Sequence, residues 1–207
     1  MKTALLIIDM QNYFHSMVKD AIPNITALHE FFAARSLPVF FTQHGHPASD
    51  LAGPPFRNQL VRKWGPEGSI RRGADNPDWR LIPAIQKLAV SDAASPTSTS
   101  ASNRRSRKII DKNTYDAFVD TDLAELLRGD AGANAVERLV VCGVMTDCCC
   151  ETTARSAFNR GWETWLVADA CGSASRAQHE RSLKSYDFGY GPTRSTAEVI
   201  AMLEKEG

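Results

Sequence analysis

The chain has 207 residues, enough for one sizeable core and short for two, so a single domain over 1–207 is expected. Apolar residues make up 43% and charged residues 23%, ordinary values for a globular protein. The balance of 24 Lys plus Arg against 24 Asp plus Glu leaves no basic field to draw it to nucleic acid or an anionic membrane surface. No apolar stretch approaches the roughly 18 residues of a membrane span, and the short apolar run 4–8 after Lys2 is too brief for a signal peptide.

In chain order, Ala4-Leu5-Leu6-Ile7-Ile8 is a continuous apolar run that stops at Asp9, the pattern of a strand buried on both faces. Pro23 suits a first helical turn, and Ile25, Leu28, His29 and Phe32 recur at helical spacing up to Arg35. Pro38 ends that helix, and Val39-Phe40-Phe41-Thr42 follows as a second strand. This β-α-β unit implies a right-handed crossover and a parallel sheet. Residues 44–80 are rich in Gly, Pro and charge, with Trp64 and Trp79 embedded. They are expected to be an ordered excursion beside a pocket. A short helix is expected over 81–90, and a mobile Ser- and Thr-rich surface loop over 91–107.

Residues 108–111 form a third short apolar run, followed at once by Lys112. Asp120 or Thr121 can cap a helix through Leu126 and Leu127, with Gly129 near its end. Residues 139–142 and 164–168 supply the fourth and fifth strands, the latter running into Asp169. Helices around 180–186 and 196–204 complete the chain. The alternation predicts a three-layer α/β/α sandwich with a mainly parallel, Rossmann-like sheet.

Five cysteines are present, and Cys148, Cys149 and Cys150 are adjacent. An odd, clustered set is no disulfide framework and has no zinc-site spacing, so a reducing compartment, the cytoplasm, is expected. The triplet follows the fourth strand, at a strand-to-helix turn. Unsatisfied N–H groups and the positive helix end favour a thiolate and an oxyanion there. Ligands of open parallel sheets gather beyond the strands' carboxyl ends. Asp9, Gln43, Lys112, the Gly143 turn and Asp169 occupy those places. Among them a carboxylate, an ammonium and a thiol make a candidate Cys-Asp-Lys triad.

Three stretches carry a family resemblance. Leu6-Ile7-Ile8-Asp9-Met10-Gln11-Asn12-Tyr13-Phe14 resembles the opening D-x-Q-x-x-F strand of the isochorismatase-like cysteine hydrolases, which include nicotinamidases, N-carbamoylsarcosine amidohydrolase and isochorismatases. Lys112-Asn113-Thr114-Tyr115-Asp116-Ala117-Phe118 resembles their K-x-x-Y-S-A-F. The segment from Gly143 to Ala154 resembles G-V-x-T-N-x-C-x-x-x-T-A. The resemblance implies that Cys149 is the nucleophile, Asp9 the base and then acid, and Lys112 the cation that holds both. Backbone N–H groups of Met145 and Cys149 would form the oxyanion hole, and a cis peptide is implied at Val144-Met145. Cys148, Cys150, Cys142 and Cys171 are expected to be packing groups.

The reaction so implied is hydrolysis of a C–N bond in a small amide or carbamoyl substrate through a thioester. The alternative is cleavage of the vinyl ether of isochorismate by acid catalysis from Asp9, which needs no thiol. Nicotinamide hydrolysis, a thiol redox role and a silent binding module are lesser alternatives. No carrier domain accompanies the motifs, which argues against a bifunctional siderophore protein. Gln11, Phe14, Trp64 and Tyr115 are expected to wall the pocket, and Arg57, Arg62, Arg71 and Arg72 lie in the excursion.

Nicotinamidases hold a metal with a D-W-H-P-type segment and a later His. Here Thr42-Gln43-His44-Gly45-His46-Pro47 keeps His46, has His44 in place of the Asp, and no His follows until His179. His44 and His46, with Asp50 beside them, are the weak candidates for a divalent metal, and no cofactor is expected. The partner is a small-molecule substrate. By analogy with the family, the chain is expected to form a homo-oligomer, a dimer or tetramer.

Overall fold

The computed structural model describes residues 1–93, 109–129 and 135–206. Six strands are described: β1 (Thr3–Ile8), β2 (Val39–His44), β3 (Ile109–Lys112), β4 (Arg138–Val144), β5 (Glu163–Gly172) and β6 (Thr193–Arg194). They form one sheet of order β3-β2-β1-β4-β5-β6, and every neighbouring pair is parallel. Every residue of β1, β2 and β4 is buried. That burial accounts for their unbroken apolar sequence, because parallel strands covered on both faces have no solvent side to alternate towards.

The covering helices are α1 (His15–Val18), α2 (Ile22–Ala34), α3 (Ala48–Leu51), α4 (Gln59–Trp64), α5 (Pro83–Ala93), α6 (Leu123–Arg128), α7 (Glu151–Asn159), α8 (Arg176–Gly189) and α9 (Thr196–Glu206). On one face α2 packs against α5 and α9, and on the other α7 packs against α8. In α2, Ile25, Leu28 and Phe32 point into the core, as their spacing predicts. None of the described helices is long and apolar enough to cross a membrane.

Several boundaries differ from the sequence expectation. α5 runs on to Ala93, so residues 91–93 belong to a helix and not to the surface loop; the rest of that loop, 94–107, lies outside the described residues. The third strand ends one residue later than expected, on Lys112 itself. β5 continues past Asp169 to Gly172 through a register shift against β4, between Val141 and Gly143. The charge that interrupts its apolar pattern serves the neighbouring helix. Asp169 Oδ1 accepts from the Thr196 N–H and hydroxyl, each at 2.8 Å. Asp169 therefore caps α9 and is no member of the site, although it stands on a sheet strand near the same edge. β6, only two residues long, carries no pattern that sequence could reveal.

Candidate active site

β1 and β4 lie side by side, and the chain leaves them towards opposite edges of the sheet. Such a reversal opens a crevice beyond the strands' carboxyl ends. Two local features shape it. Asp9, immediately after β1, has φ +49°, a left-handed conformation that Asp tolerates better than most residues. Gly143, opposite Ile8, has φ +117°, and a Cβ there would lie 2.2 Å from the Ile8 carbonyl oxygen. Only glycine lets the two backbones approach so closely. The Val144-Met145 peptide is cis, the isomer the resemblance implied.

Three side chains meet in the crevice. Lys112 Nζ lies 2.6 Å from Asp9 Oδ2 and 3.4 Å from Cys149 Sγ, and the Cys149 thiol hydrogen-bonds Asp9. Asp9, Lys112 and Cys149 are 0%, 2% and 5% exposed, so their charges act on one another with little screening by water. Burial disfavours the Lys112 ammonium, but Asp9 and Cys149 outweigh it and hold the amine above its ordinary range. Burial pushes the Cys149 thiol well up; Lys112 opposes this and Asp9 adds to it. Both directions favour an ammonium at Lys112 and a protonated thiol at Cys149, set against the Asp9 side chain.

The surroundings fix each member. Thr42 Oγ1, on β2, accepts from the Asp9 N–H at 3.1 Å and donates to Asp9 Oδ1 at 2.6 Å. Lys112 Nζ also donates to the Thr114 carbonyl at 2.9 Å. Thr153, on α7, ties the turn after Lys112 to the cysteine helix: its hydroxyl accepts from the Ala117 N–H at 3.0 Å and donates to the Tyr115 carbonyl at 3.3 Å. Sequence reasoning missed Thr42; its signal was a hydroxyl directly after Phe40 and Phe41 in a fully buried strand.

Cys149 sits in a single π-helical turn, Thr146–Cys150, that runs directly into α7. The N–H groups of Cys148 and Cys150 both donate to the Met145 carbonyl at 3.1 Å. π-turns often occur at functional sites because they rotate one side chain out of helical register. α8 braces this turn. Thr146 Oγ1 donates to the Gly172 carbonyl at 2.9 Å and lies 2.8 Å from His179 Nδ1. Because its single proton faces Gly172, the His179 nitrogen is the donor in that contact. Ser173 donates to Asp147, and Ser182 donates to Glu151.

The neighbouring cysteines face elsewhere. Cys150 is buried with its thiol against Cys171, and burial raises the pKa of both Cys150 and Cys142. Cys148 is half-buried and receives a hydrogen bond from Tyr115. All five cysteines are free thiols.

The residues expected to wall a pocket differ in how they are engaged. The Tyr115 hydroxyl accepts from Trp64 Nε1 at 3.1 Å, and Trp64 is 56% exposed, which puts these two at the outer rim. Phe14 is buried, with its ring edge-on to Tyr13 at 5.0 Å. Gln11 is committed to backbone: its amide nitrogen donates to the carbonyls of His44 and Trp79 at 2.9 and 2.8 Å, and its oxygen accepts from the His44 N–H at 2.7 Å. It clamps β2 to the excursion and presents no free donor.

His44 and His46 stand edge to face, ring centroids 5.0 Å apart. His46 Nδ1 faces Asp50 Oδ2 at 3.4 Å, and that same oxygen accepts from Asn113 Nδ2 at 2.8 Å. Among the described residues no group of three His, Cys, Asp or Glu side chains converges to hold a metal ion. Asp50 Oδ2 is thus shared between His46 and Asn113.

The description "Isochorismatase domain" fits residues 3–200, nearly the entire chain. The chain belongs to the isochorismatase family. Within it, this isochorismatase-family protein is 34% identical over 187 residues to Nicotinamidase 3 of Arabidopsis thaliana, covering 90% of the chain and 81% of that relative. It is 33% identical over 206 residues to enterobactin synthase component B of Escherichia coli, covering 96% of the chain but only 62% of that longer protein. A cysteine hydrolase from Pseudomonas syringae pv. phaseolicola superposes over 100% of this chain and 94% of its own, with a TM-score of 0.76 and 25% identity. A nicotinamidase from Staphylococcus aureus shares the fold, with a TM-score of 0.69 at 22% identity over 94% of this chain and 98% of its own. Members of the isochorismatase family are hydrolases, and this chain is one of them.

Proposed function

We propose that this isochorismatase-family hydrolase cleaves a C–N bond of a small amide or carbamoyl compound, with Cys149, Asp9 and Lys112 as its catalytic residues. The observation that carries the reading is the buried contact set in which Lys112 Nζ touches both Asp9 Oδ2, at 2.6 Å, and Cys149 Sγ, at 3.4 Å.

In this reading Asp9 takes the thiol proton as Cys149 Sγ attacks the substrate carbonyl carbon. The carbonyl oxygen gains the negative charge and is met by the N–H groups of Met145 and Cys149. In support, the flanking amides of Cys148 and Cys150 are already turned to the Met145 carbonyl. Asp9 returns the proton to the departing nitrogen, the C–N bond breaks, and a thioester remains on Cys149. Water then gives a proton to Asp9 and adds to the thioester; the thiolate leaves and recovers that proton. Lys112 remains charged throughout and stabilises whichever of its two partners is anionic.

The test is an intact-mass search for an acyl adduct on Cys149 with small amides, ureas and carbamates, nicotinamide included because a nicotinamidase is among the relatives. An adduct lost in Cys149→Ala supports the reading; turnover of any of these compounds by Cys149→Ala overturns it. The second reading, acid cleavage of a vinyl ether of the isochorismate type by Asp9, is favoured by the similarity to enterobactin synthase component B. It predicts isochorismate turnover that survives Cys149→Ala and is lost in Asp9→Asn. Assembly into a homo-oligomer belongs to the same proposal, and light scattering on the purified chain tests it.

A further inference from the structure

His179 lies outside the contact set of Asp9, Lys112 and Cys149, yet it reaches the turn that carries Cys149. Its Nδ1 is 2.8 Å from Thr146 Oγ1, on the first residue of the π-turn Thr146–Cys150. Thr146 is 0% exposed, so its contacts are made within the protein. Its hydroxyl has one proton, which goes at 2.9 Å to the Gly172 carbonyl, a group that only accepts. His179 therefore donates, and the Thr146 side chain is held from two elements at once, the end of β5 and α8.

His179 is the first of a stripe. His179, Ser182 and Ser185 stand three residues apart along α8, which puts them on one side of that helix. Ser182 donates to Glu151, the first residue of α7, and the Ser185 hydroxyl accepts from Arg155 Nη2 at 2.9 Å. That side of α8 is given to the segment 146–155, which contains Cys149.

The consequence lies in the backbone. Thr146 follows Met145 and opens the turn that holds Cys149, so its orientation sets how the Met145 and Cys149 N–H groups stand to each other. We propose that His179 is a positioning residue for the oxyanion site: through Thr146 it holds those two N–H groups in the arrangement that receives the oxyanion. The inference rests on the C–N hydrolase reading, which assigns these N–H groups to the oxyanion, and it adds a residue of α8 to that machinery. His179 is not itself a catalytic residue, because it acts only through Thr146. An oxyanion exists only after sulfur has added to the carbonyl. A donor pair held in advance therefore lowers the barrier and contributes little to substrate binding.

The experiment compares the wild-type chain with His179→Asn and His179→Leu. Asn carries an amide nitrogen as many bonds from the backbone as Nδ1, and Leu has the same branched shape with no N–H. With an amide or carbamate that acylates Cys149, His179→Leu should lower kcat by roughly tenfold or more, with KM changed less than about threefold. His179→Asn should recover most of that loss, with thermal melting showing that both variants are folded. Alkylation of Cys149 by iodoacetamide builds no oxyanion, so its rate in His179→Leu, followed by peptide mapping, should stay within about threefold of the wild type. In a Thr146→Val background, where the N–H has no acceptor, His179→Leu should have no further effect on kcat. Four results would each overturn the inference and leave the hydrolase reading standing: equal kcat in the Asn and Leu variants, a loss confined to KM, parallel losses of turnover and alkylation, or a full further loss in the Thr146→Val background. Absence of acylation by every amide, urea and carbamate in the wild-type chain overturns the hydrolase reading, and this inference with it.

Discussion

The Thr42 hydroxyl meets Asp9 twice, accepting from its backbone N–H at 3.1 Å and donating to its carboxylate at 2.6 Å. One side chain on β2 thus fixes both the left-handed backbone and the carboxylate direction of the residue that ends β1. Thr42→Val keeps the shape and removes both contacts. It should lower kcat by about 10–100-fold with little change in KM, because orientation of Asp9, the proposed base, matters most during chemistry. Steady-state kinetics on whichever substrate acylates Cys149 measure this; a change confined to KM would mean that Thr42 serves binding alone.

The Asp9–Lys112 pair is buried and mutually dependent. Lys112→Met leaves an uncompensated carboxylate in the core and should destabilise the fold by about 3–5 kcal/mol. Asp9→Asn together with Lys112→Met should be less damaging than Lys112→Met alone, since no bare charge then remains. Urea unfolding of the three variants decides it, and strictly additive losses would contradict the pairing.

Cys148 and Cys150 flank Cys149, the proposed nucleophile, and face other partners, Tyr115 and Cys171. Cys148→Ala should change kcat/KM by less than about threefold, whereas Cys149→Ala should abolish turnover with the fold intact. If Cys148→Ala and Cys149→Ala are equally inactive, the assignment of the thiol is wrong.

His44 gives stability a sign with pH. Burial holds its folded pKa down to about 3, below the ordinary imidazole value of 6.5, so the unfolded chain binds the proton more readily. Its contribution is complete above about pH 6.5 and is lost as the pH falls towards 3, at up to about 1 kcal/mol per unit. Burial lowers His46 in the same direction. The wild-type chain should lose more stability between pH 7.5 and pH 5 than His44→Gln does, measured by denaturant unfolding at both pH values. Equal losses would place the imidazole in contact with water.

Asp169 separates structure from catalysis. It caps α9 and makes no contact with the site, so Asp169→Ala should cost about 1 kcal/mol of stability while leaving kcat and KM unchanged. A marked fall in kcat at full folding would return it to the active centre.

Much of this protein was legible in its sequence because its signals are local. Continuous apolar runs identified β1, β2 and β4, and helical spacing identified α2, since burial acts residue by residue along each element. Three motifs placed Asp9, Lys112 and Cys149 at strand ends. The sequence did not give the weak elements, such as the two-residue β6, or the continuation of β5 beyond Asp169. Their stability comes from neighbours far along the chain and not from a pattern of their own.

The sequence by itself determined the three-layer fold, the family and the identity of the residues offered to the crevice. Only the tertiary structure decided that Asp9, Lys112 and Cys149 touch, that Asp169 caps α9 instead of joining them, and that Thr42 holds the carboxylate. The physical reason is reach. Hydrogen bonds and ion pairs act over about 3 Å, and Thr42 and Asp9, Cys149 and Lys112, or Lys112 and Asp9, all far apart along the chain, come that close only because the parallel sheet gathers its strand ends at one edge.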